Sequence, residues 1–548
     1  MKNNRTRKNR YKYIVVLITL AIAGVICLSE RITFEFSRKS GFYDKPFDLY
    51  IGKPVGTKVY YTLDGSDPTV DSMEYTEPIH IDDASNNPNV YAEITEVVPG
   101  YGTPKDPILS YVVPDEKIDK CNIVRAICVD KDGKVLEEKQ ASYFVGFDKK
   151  SGYDGLWICS VISDPKNFFN PKTGIMVCGE NAVVTEDGSY RETNYLQRGM
   201  DWEREVYVQF FNPNHTNILN QRCGIRIHGK GSRKFVSKSY NLYAREEYDG
   251  NNVFRCDFWG DEYFPDKLML FSGGEDGETL VRNKLVSDLT RGFAIESFQY
   301  IPCVMFIDGE YWGIRFITEK FDKEYFNHHY ASEKDDVLII KELIGSPEYA
   351  LNEGHYDIEA DSKKWQDFAV VISGRDEMGI SQEYVENVFD YQSLLDYFGT
   401  LFYINRCADW PDRNMAYWST RTYGEGRNDG KWRFLLYDVY RDSMNNPTDD
   451  TISLARDKIH LLDYELNNEK FRTDLKARFI ELSETVFSDE SVGNYLDEYS
   501  KLMREPIQKH YKRFYGEKYD GETFDEAIEE LKTFFRERKD YLRNYSFE

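Results

Sequence analysis

Histidine, paired cysteine and long apolar runs are what this sequence has least of. Only 8 of its 548 residues are His. None of them belongs to an acid-and-serine arrangement of the kind a hydrolase needs, so His228, His328 and His329 are expected to be structural or exposed. Nine cysteines are present, yet none forms a C-x-x-C pair or has a histidine beside it at zinc-ligand spacing. Most sit in apolar strand-like runs such as Ile158-Cys159-Ser160-Val161, where a free buried thiol is the expectation. Internal repeats and low-complexity tracts are also missing. Bases are in deficit, with 70 Lys and Arg against 94 Asp and Glu for a net charge of -24. A body this acidic repels phosphate backbones, which excludes nucleic acid as a partner.

The exception in charge lies at the start. Lys2, Arg5, Arg7, Lys8, Arg10 and Lys12 precede the first acid, and residues 1–12 read as a basic cytoplasmic tail. From Ile14 to Leu28 no charge occurs, and the stretch ends at Ser29-Glu30-Arg31. Residues 13–30 therefore read as a signal-peptide core or a short single-pass anchor. Ala21-Ile22-Ala23 falls inside the apolar run rather than after it, which favours retention. The flanking bases place the body outside the cytoplasm in either case, tethered to the membrane or secreted if the segment is cleaved.

What remains is long enough for several cores, with 41% hydrophobic and 15% aromatic residues. The expected class is multidomain: an all-β immunoglobulin-like sandwich over 31–147, then an α+β domain over 155–450 with a helical C-terminal part over 451–548. In the first unit, Lys58 to Leu63 alternates β-branched and aromatic residues before an Asp64-Gly65 turn. Its last strands are expected at Asn122 to Val129 and Glu138 to Val145 around Asp132-Gly133, with Asn86 to Lys120 as an insertion. In the second unit, Leu156 to Ile162 and Val206 to Phe211 read as strands. Val304 to Ile307 and Tyr311 to Phe316 form a hairpin over Asp308-Gly309. Leu394, Leu395, Phe398, Leu401 and Phe402 share one face of a helix over 391–405. Helices are expected at Tyr464 to Phe487, Ser491 to Tyr511 and Thr523 to Tyr545.

Two stretches carry chemistry. Gly224-Ile225-Arg226-Ile227-His228-Gly229 is a strand running into Gly231, Ser232, Arg233 and Lys238, the make-up of a loop that lets backbone N–H groups and a lysine approach phosphate. It lacks the Gly-Lys-Ser/Thr order of a Walker loop. The other is Asp409-Trp410-Pro411-Asp412-Arg413-Asn414, followed by Trp432 to Asp438. Protein kinases set a catalytic Asp five positions ahead of a metal-binding Asn, with a second metal-binding Asp at a nearby strand end. Asp409, Asn414 and Asp438 reproduce that order and the first spacing.

With these pieces placed, residues 155 to 450 resemble the CotH kinase family, the spore coat protein H-like atypical kinases. The motifs that carry it are Gly224 to Gly229 with Ser232-Arg233 and Lys238-Ser239, Ile307 to Ile314 with Glu319-Lys320-Phe321-Asp322, Asp409-Trp410-Pro411 with Asn414, and Trp432 to Asp438. Val59 to Thr69 with Tyr75 to Ile79 resembles the module at the C-terminal end of chitobiases and β-hexosaminidases, which implies a spacer or a surface-binding, glycan-contacting unit. The kinase resemblance implies transfer of phosphate from ATP to Ser or Thr of an envelope or coat protein. In that reading Asp409 orients the substrate hydroxyl, and Asn414 and Asp438 hold Mg or Mn. Lys238, with Ser232 and Arg233, faces phosphate, and Glu319 pairs with Lys238 or helps hold the metal.

Three departures from the family pattern bear on activity. Tyr440 stands where the family carries a second strand Asp, Arg413 replaces the first of a paired Asn, and Ser272 replaces an Arg. Asp442 is a candidate substitute for the missing acid, ~7 Å farther along a strand. A degenerate surface scaffold is thus the first alternative, and a glycoside hydrolase using Asp409 and Asp438 the second.

Overall fold

The computed structural model describes residues 33–97, 111–186, 190–341, 351–353, 362–373, 381–406, 410–411, 414–439, 442–516 and 521–547. The tail and anchor of the sequence reading, residues 1–30, lie outside them. Among the described residues no helix is long and apolar enough to cross a membrane.

The N-terminal unit is built on a five-stranded sheet in the order Gly41–Tyr43, Val135–Val145, Asn122–Val129, Lys58–Thr62, Met73–Glu74. A two-stranded ribbon, Phe47–Leu49 with Ile79–Ile81, faces it. Asn122–Val129 and Val135–Val145 pair antiparallel around the expected turn, where Gly133 takes φ +81°. A core of its own, with Leu49, Val59, Val124, Ala126 and Tyr143, lies between the layers.

The next unit is a closed seven-stranded barrel. Its order is Arg204–Phe211, Asn217–Ile227, Tyr240–Tyr243, Lys267–Phe271, Glu310–Thr318, Ile301–Ile307 and Trp157–Ile162, which closes back on the first. Trp157–Ile162 and Ile301–Ile307 run parallel, and every other neighbouring pair is antiparallel. Closure removes the free edges that an open sheet would expose. The hairpin expected over Asp308-Gly309 is present, with both residues at positive φ.

The sandwich is not a spacer. The Glu310 side chain, 3% exposed, accepts hydrogen bonds from Val90 N (2.6 Å) and Ala92 N (2.8 Å). Cys121 N donates to Gly309 O (2.9 Å) and Tyr311 N to Asp119 O (3.0 Å). Beside these bonds the Ser142 and Ser160 hydroxyls meet at 2.8 Å, and the Phe144 ring sits edge-on to Phe211 and Phe306. The hydrophobic core of the barrel accordingly runs without a break into residues of the N-terminal unit. A spacer needs few contacts across its boundary; here backbone bonds and aromatic packing cross it together.

A second sheet follows the barrel, ordered Glu296–Ser297, Arg433–Leu436, Ala416–Thr420, Val337–Lys341, Leu351–Glu353. The helix Tyr391–Tyr403 starts at an Asp390 cap that accepts Ser393 N and lies on this sheet, with Tyr397 stacked on Phe434 at 4.1 Å. The expected apolar face is buried, and so is the rest of the helix from Ser393 onward, because C-terminal helices cover its other side. The single helix expected from Tyr464 is two, His460–Leu466 and Glu469–Glu484, since Asn468 caps a fresh start by accepting Lys470 N. Asp489–Tyr515 returns to the barrel, where His510 Nδ1 accepts the N–H of Ile314 at 3.0 Å beside Gly313 at φ +80°. The seven described cysteines are free thiols, six of them buried.

Replacing Glu310 by Ala strands two N–H groups at the joint between the units, at ~1–3 kcal/mol each. Denaturant unfolding of the Glu310→Ala protein is expected to show a loss of ~2–5 kcal/mol, with sandwich and barrel melting at separate temperatures in place of one.

Candidate functional site

Asp409, Asp412 and Arg413 lie outside the described residues, but the segments that hold them are defined. The chain leaves the helix Tyr391–Tyr403 through Asn405 at φ +54° and then Arg406, whose buried guanidinium pairs with Asp442 at 2.8 Å. It resumes at Trp410, 1% exposed, with its indole N–H on the Tyr397 hydroxyl at 3.2 Å and a cis bond to Pro411. Anchors therefore stand on either side of position 409. Asp442, the candidate for the carboxylate missing at 440, is the ion-pair partner of Arg406.

Asn414 and Asp438 each sit just outside a strand of the second sheet, before Ala416–Thr420 and after Arg433–Leu436. These two strands are antiparallel neighbours, with Ala416 opposite Leu435, so the register brings the two residues to the same end of the sheet. Both take a left-handed backbone, φ +59° and +55°, a conformation costly for residues other than Gly, Asn and Asp. Asn and Asp tolerate it, so the chain turns out of the strand at both positions at little cost.

The turn after Asp438 is clamped from the barrel side. The helix Arg282–Leu289 presents Asn283, 4% exposed, whose Oδ1 accepts Val439 N and whose Nδ2 donates to Val439 O, both at 2.8 Å. One side chain thus satisfies both polar groups of the residue next to the acid, as a neighbouring strand would. Beside it Arg282 bonds Ser443 O through Nε (3.2 Å) and the fully buried Asp276 through NH1 (3.0 Å), while Asp276 also accepts Arg282 N. Asp276 closes the Ser272-Gly273-Gly274 segment, so that segment reaches the site as support for the metal-strand turn. Sequence reading missed Asn283, which belongs to no motif and sits between Arg282 and Lys284 like an ordinary surface amide.

The glycine-rich stretch folds differently from a phosphate-covering loop. Arg233 is buried, and its guanidinium bonds the carbonyls of Gly229 (2.6 Å), Gln197 (2.8 Å) and Tyr195 (3.2 Å). Ser232 lies under Gly229, where φ is +104° and a Cβ would strike the hydroxyl. Lys238 is wholly buried, with Nζ on the carbonyls of Arg233 (3.0 Å) and Phe235 (2.9 Å) and over the Tyr195 ring at 4.3 Å. Burial pushes its pKa down to about 7. The neutral amine has two N–H donors, enough for the two carbonyls that Lys238 reaches. Phosphate contact requires a reachable ammonium, and Lys238, wholly buried and committed to two carbonyls, is not reachable.

Other lysines are better placed. Lys341 ends the strand Val337–Lys341, and its ammonium lies over the Tyr437 ring at 5.5 Å, next in the chain to Asp438. His228, at the end of the glycine strand, is held down to a pKa of about 3 by burial and then by repulsion from Lys320, Lys341 and Arg233. Positive charge from both lysines therefore reaches the rim of the barrel where the second sheet meets it. Glu319 does not pair with Lys238; its Oε1 meets His329 Nε2 at 2.8 Å. The signal overlooked in the sequence is a lysine directly after an apolar strand, as in Ile339-Ile340-Lys341.

An acid and an amide thus stand at one end of the second sheet, with Lys341 at the same end of the neighbouring strand, opposite Ala416. A family model described as CotH kinase protein matches residues 225–542, and the chain belongs to that family. The match runs from the end of the strand Asn217–Ile227 through the rest of the barrel and the second sheet into the C-terminal helices. A second model, described as Fn3 associated, matches residues 50–138 in the N-terminal unit; the chitobiase-like description of that unit is not the one matched. No curated protein matches the chain.

Two outcomes check this geometry. Asn283→Ala leaves the polar groups of Val439 unmet, and a loss of ~1–3 kcal/mol is expected, with faster amide exchange confined to the turn after Asp438. For Lys238, the unfolded chain keeps its proton up to about pH 10.5 and the native chain releases it near 7. The unfolded state binds more protons in between, so stability rises with pH across that window. Urea midpoints from pH 7 to 10 should show this rise in the wild type and a flatter line in Lys238→Met.

Proposed function

We propose that the chain is an exported protein kinase that transfers the γ-phosphate of ATP to Ser or Thr hydroxyls of envelope or coat proteins. The observation that carries the reading is the convergence of Asp438 and Asn414 at one sheet end, where Lys341, opposite Ala416 on the next strand, also lies. Carboxylate and amide oxygens suit a hard cation such as Mg or Mn, and ammonium groups suit the phosphate oxygens beyond it. The residues present thus fit both cofactors.

Asp438 and Asn414 would hold the divalent ion, which when bound neutralises charge on the phosphates. Lys341 and Lys320 take the phosphate contact that sequence reading gave to Lys238, Ser232 and Arg233. Asp409, which the family resemblance makes the residue that orients the acceptor hydroxyl, would accept its proton. Asn283 acts through Val439 and is a positioning residue. Residues 13–30 tether the domain to a membrane, and the fused sandwich presents a second surface, towards envelope glycan, at a fixed distance from the site.

The test is transfer of labelled γ-phosphate from ATP with Mg or Mn by the full chain, with a Ser-rich acidic protein as acceptor. Asp438→Ala is expected to abolish transfer, Asp409→Ala to lower kcat by about 10²–10⁴-fold, and Lys341→Ala to raise KM for ATP more than it lowers kcat. Absence of transfer together with absence of any nucleotide-dependent rise in Tm would overturn the kinase reading. A degenerate scaffold would then stand, for which Tyr440 in place of the family's second strand Asp is the supporting observation.

A further inference from the structure

The structure assigns a transition-metal site of the Zn2+ class to Asp261, His328 and His329, with Glu319 behind it as the carboxylate that orients His329. The site stands apart from the nucleotide reading and does not depend on it. One ligand atom from each of the three residues lies within 4.8 Å of the others, the one such group among the described residues.

Each ligand is positioned by structure of its own. Asp257 folds the preceding loop by accepting the N–H groups of Gly260 (2.7 Å), Glu262 (3.1 Å) and Asp261 (3.2 Å). The next turn buries Tyr263, whose ring stacks on His328 at 4.7 Å. The two histidines close the helix Lys323–Tyr330, which Asp322 caps at its start by accepting Glu324 N and Tyr325 N, and which Ala331 ends at φ +52°. His328 Nε2 and Asp261 Oδ2 are 3.6 Å apart, too long for a direct hydrogen bond and suited to two ligands of one small cation.

The second observation is Glu319. Its side chain is 1% exposed, Oε1 meets His329 Nε2 at 2.8 Å, and Oε2 is buried with no hydrogen-bond partner. A buried carboxylate on the ring of one histidine, beside a second histidine and an acid, is the carboxylate–histidine–metal arrangement that fixes the tautomer and raises ligand basicity. Two imidazoles with one carboxylate select Zn2+ or a neighbouring late first-row ion over Mg2+, which prefers oxygen alone. The ion here and the ion at Asp438 would therefore be of different kinds. Three protein ligands leave a fourth tetrahedral position. It faces solvent, because the side chains of His328 and Asp261 are 28% and 33% exposed. The consequence is a tie between the loop at 257–263 and the end of the first helix after the barrel, next to the strand that carries Glu319 and Lys320.

The test uses the untagged full chain, stripped with chelator and titrated with Co2+, followed by Zn2+ in competition with a chromophoric chelator. Expected are a single equivalent of Co2+ with visible d–d bands and no thiolate charge-transfer band, and displacement of that Co2+ by Zn2+. His328→Ala and Asp261→Asn, both at partly exposed positions, are expected to lose at least tenfold in affinity while keeping the metal-free Tm. Glu319→Gln should weaken binding about 10- to 100-fold. No stoichiometric binding, binding unchanged in His328→Ala, or a thiolate band that moves the site to cysteine would each overturn the assignment. If Glu319→Gln fails to fold, the two surface variants decide.

Discussion

The strand Glu310–Thr318 is buried along its whole length, and the rest of the molecule is hung on it. Its first residue accepts the backbone of the N-terminal unit, its middle gives an N–H to His510 of the longest C-terminal helix, and its far half completes the barrel against Lys267–Phe271. The chain leaving it carries Glu319 and Lys320 towards the second sheet. A strand covered on both faces has no side to leave in water, which is why Tyr311-Trp312-Gly313-Ile314-Arg315-Phe316 reads as nearly continuous bulk rather than alternation. Gly313 is the one position there with no room for a side chain, because His510 and Phe514 occupy it.

From that scaffold the charges separate. Burial, helped by Lys320 and Lys341, keeps His228 neutral at the barrel rim, while Asp438 stands at the sheet end beside the Asn283 clamp. Positive charge for phosphate and negative charge for a cation thus arise on different elements. In a body of net charge -24, a local surplus of lysine marks where an anion is least repelled.

Much of this was legible in the sequence where the signal is local. The Asp308-Gly309 and Asp132-Gly133 hairpins, the helix leading to Arg406 and the strand ending before Asp438 follow from turn chemistry and periodicity, and those rules act over a few residues. The long helix expected from Tyr464 failed for a local reason too, the capping power of Asn468 outweighing the apolar pattern across it. The sandwich as spacer failed for another: Glu310 and Ser142 look like ordinary strand residues until the surface each one bonds is known.

The sequence by itself determined the element types, the two-part organisation and the order Asp409, Asn414, Asp438, since backbone propensity and motif spacing are properties of the chain. Tertiary structure decided which charged groups face one another. Lys238 and Arg233 had the right composition for phosphate but turn inward to bare carbonyls, while Lys341, Asn283 and the Asp261-His328-His329 group acquire roles from partners 67 to 156 residues away. The physical reason is that a charge or an amide has no fixed worth along the chain. Its partner, and the water it loses, are set only when distant strands close into a barrel and bring the second sheet against its rim.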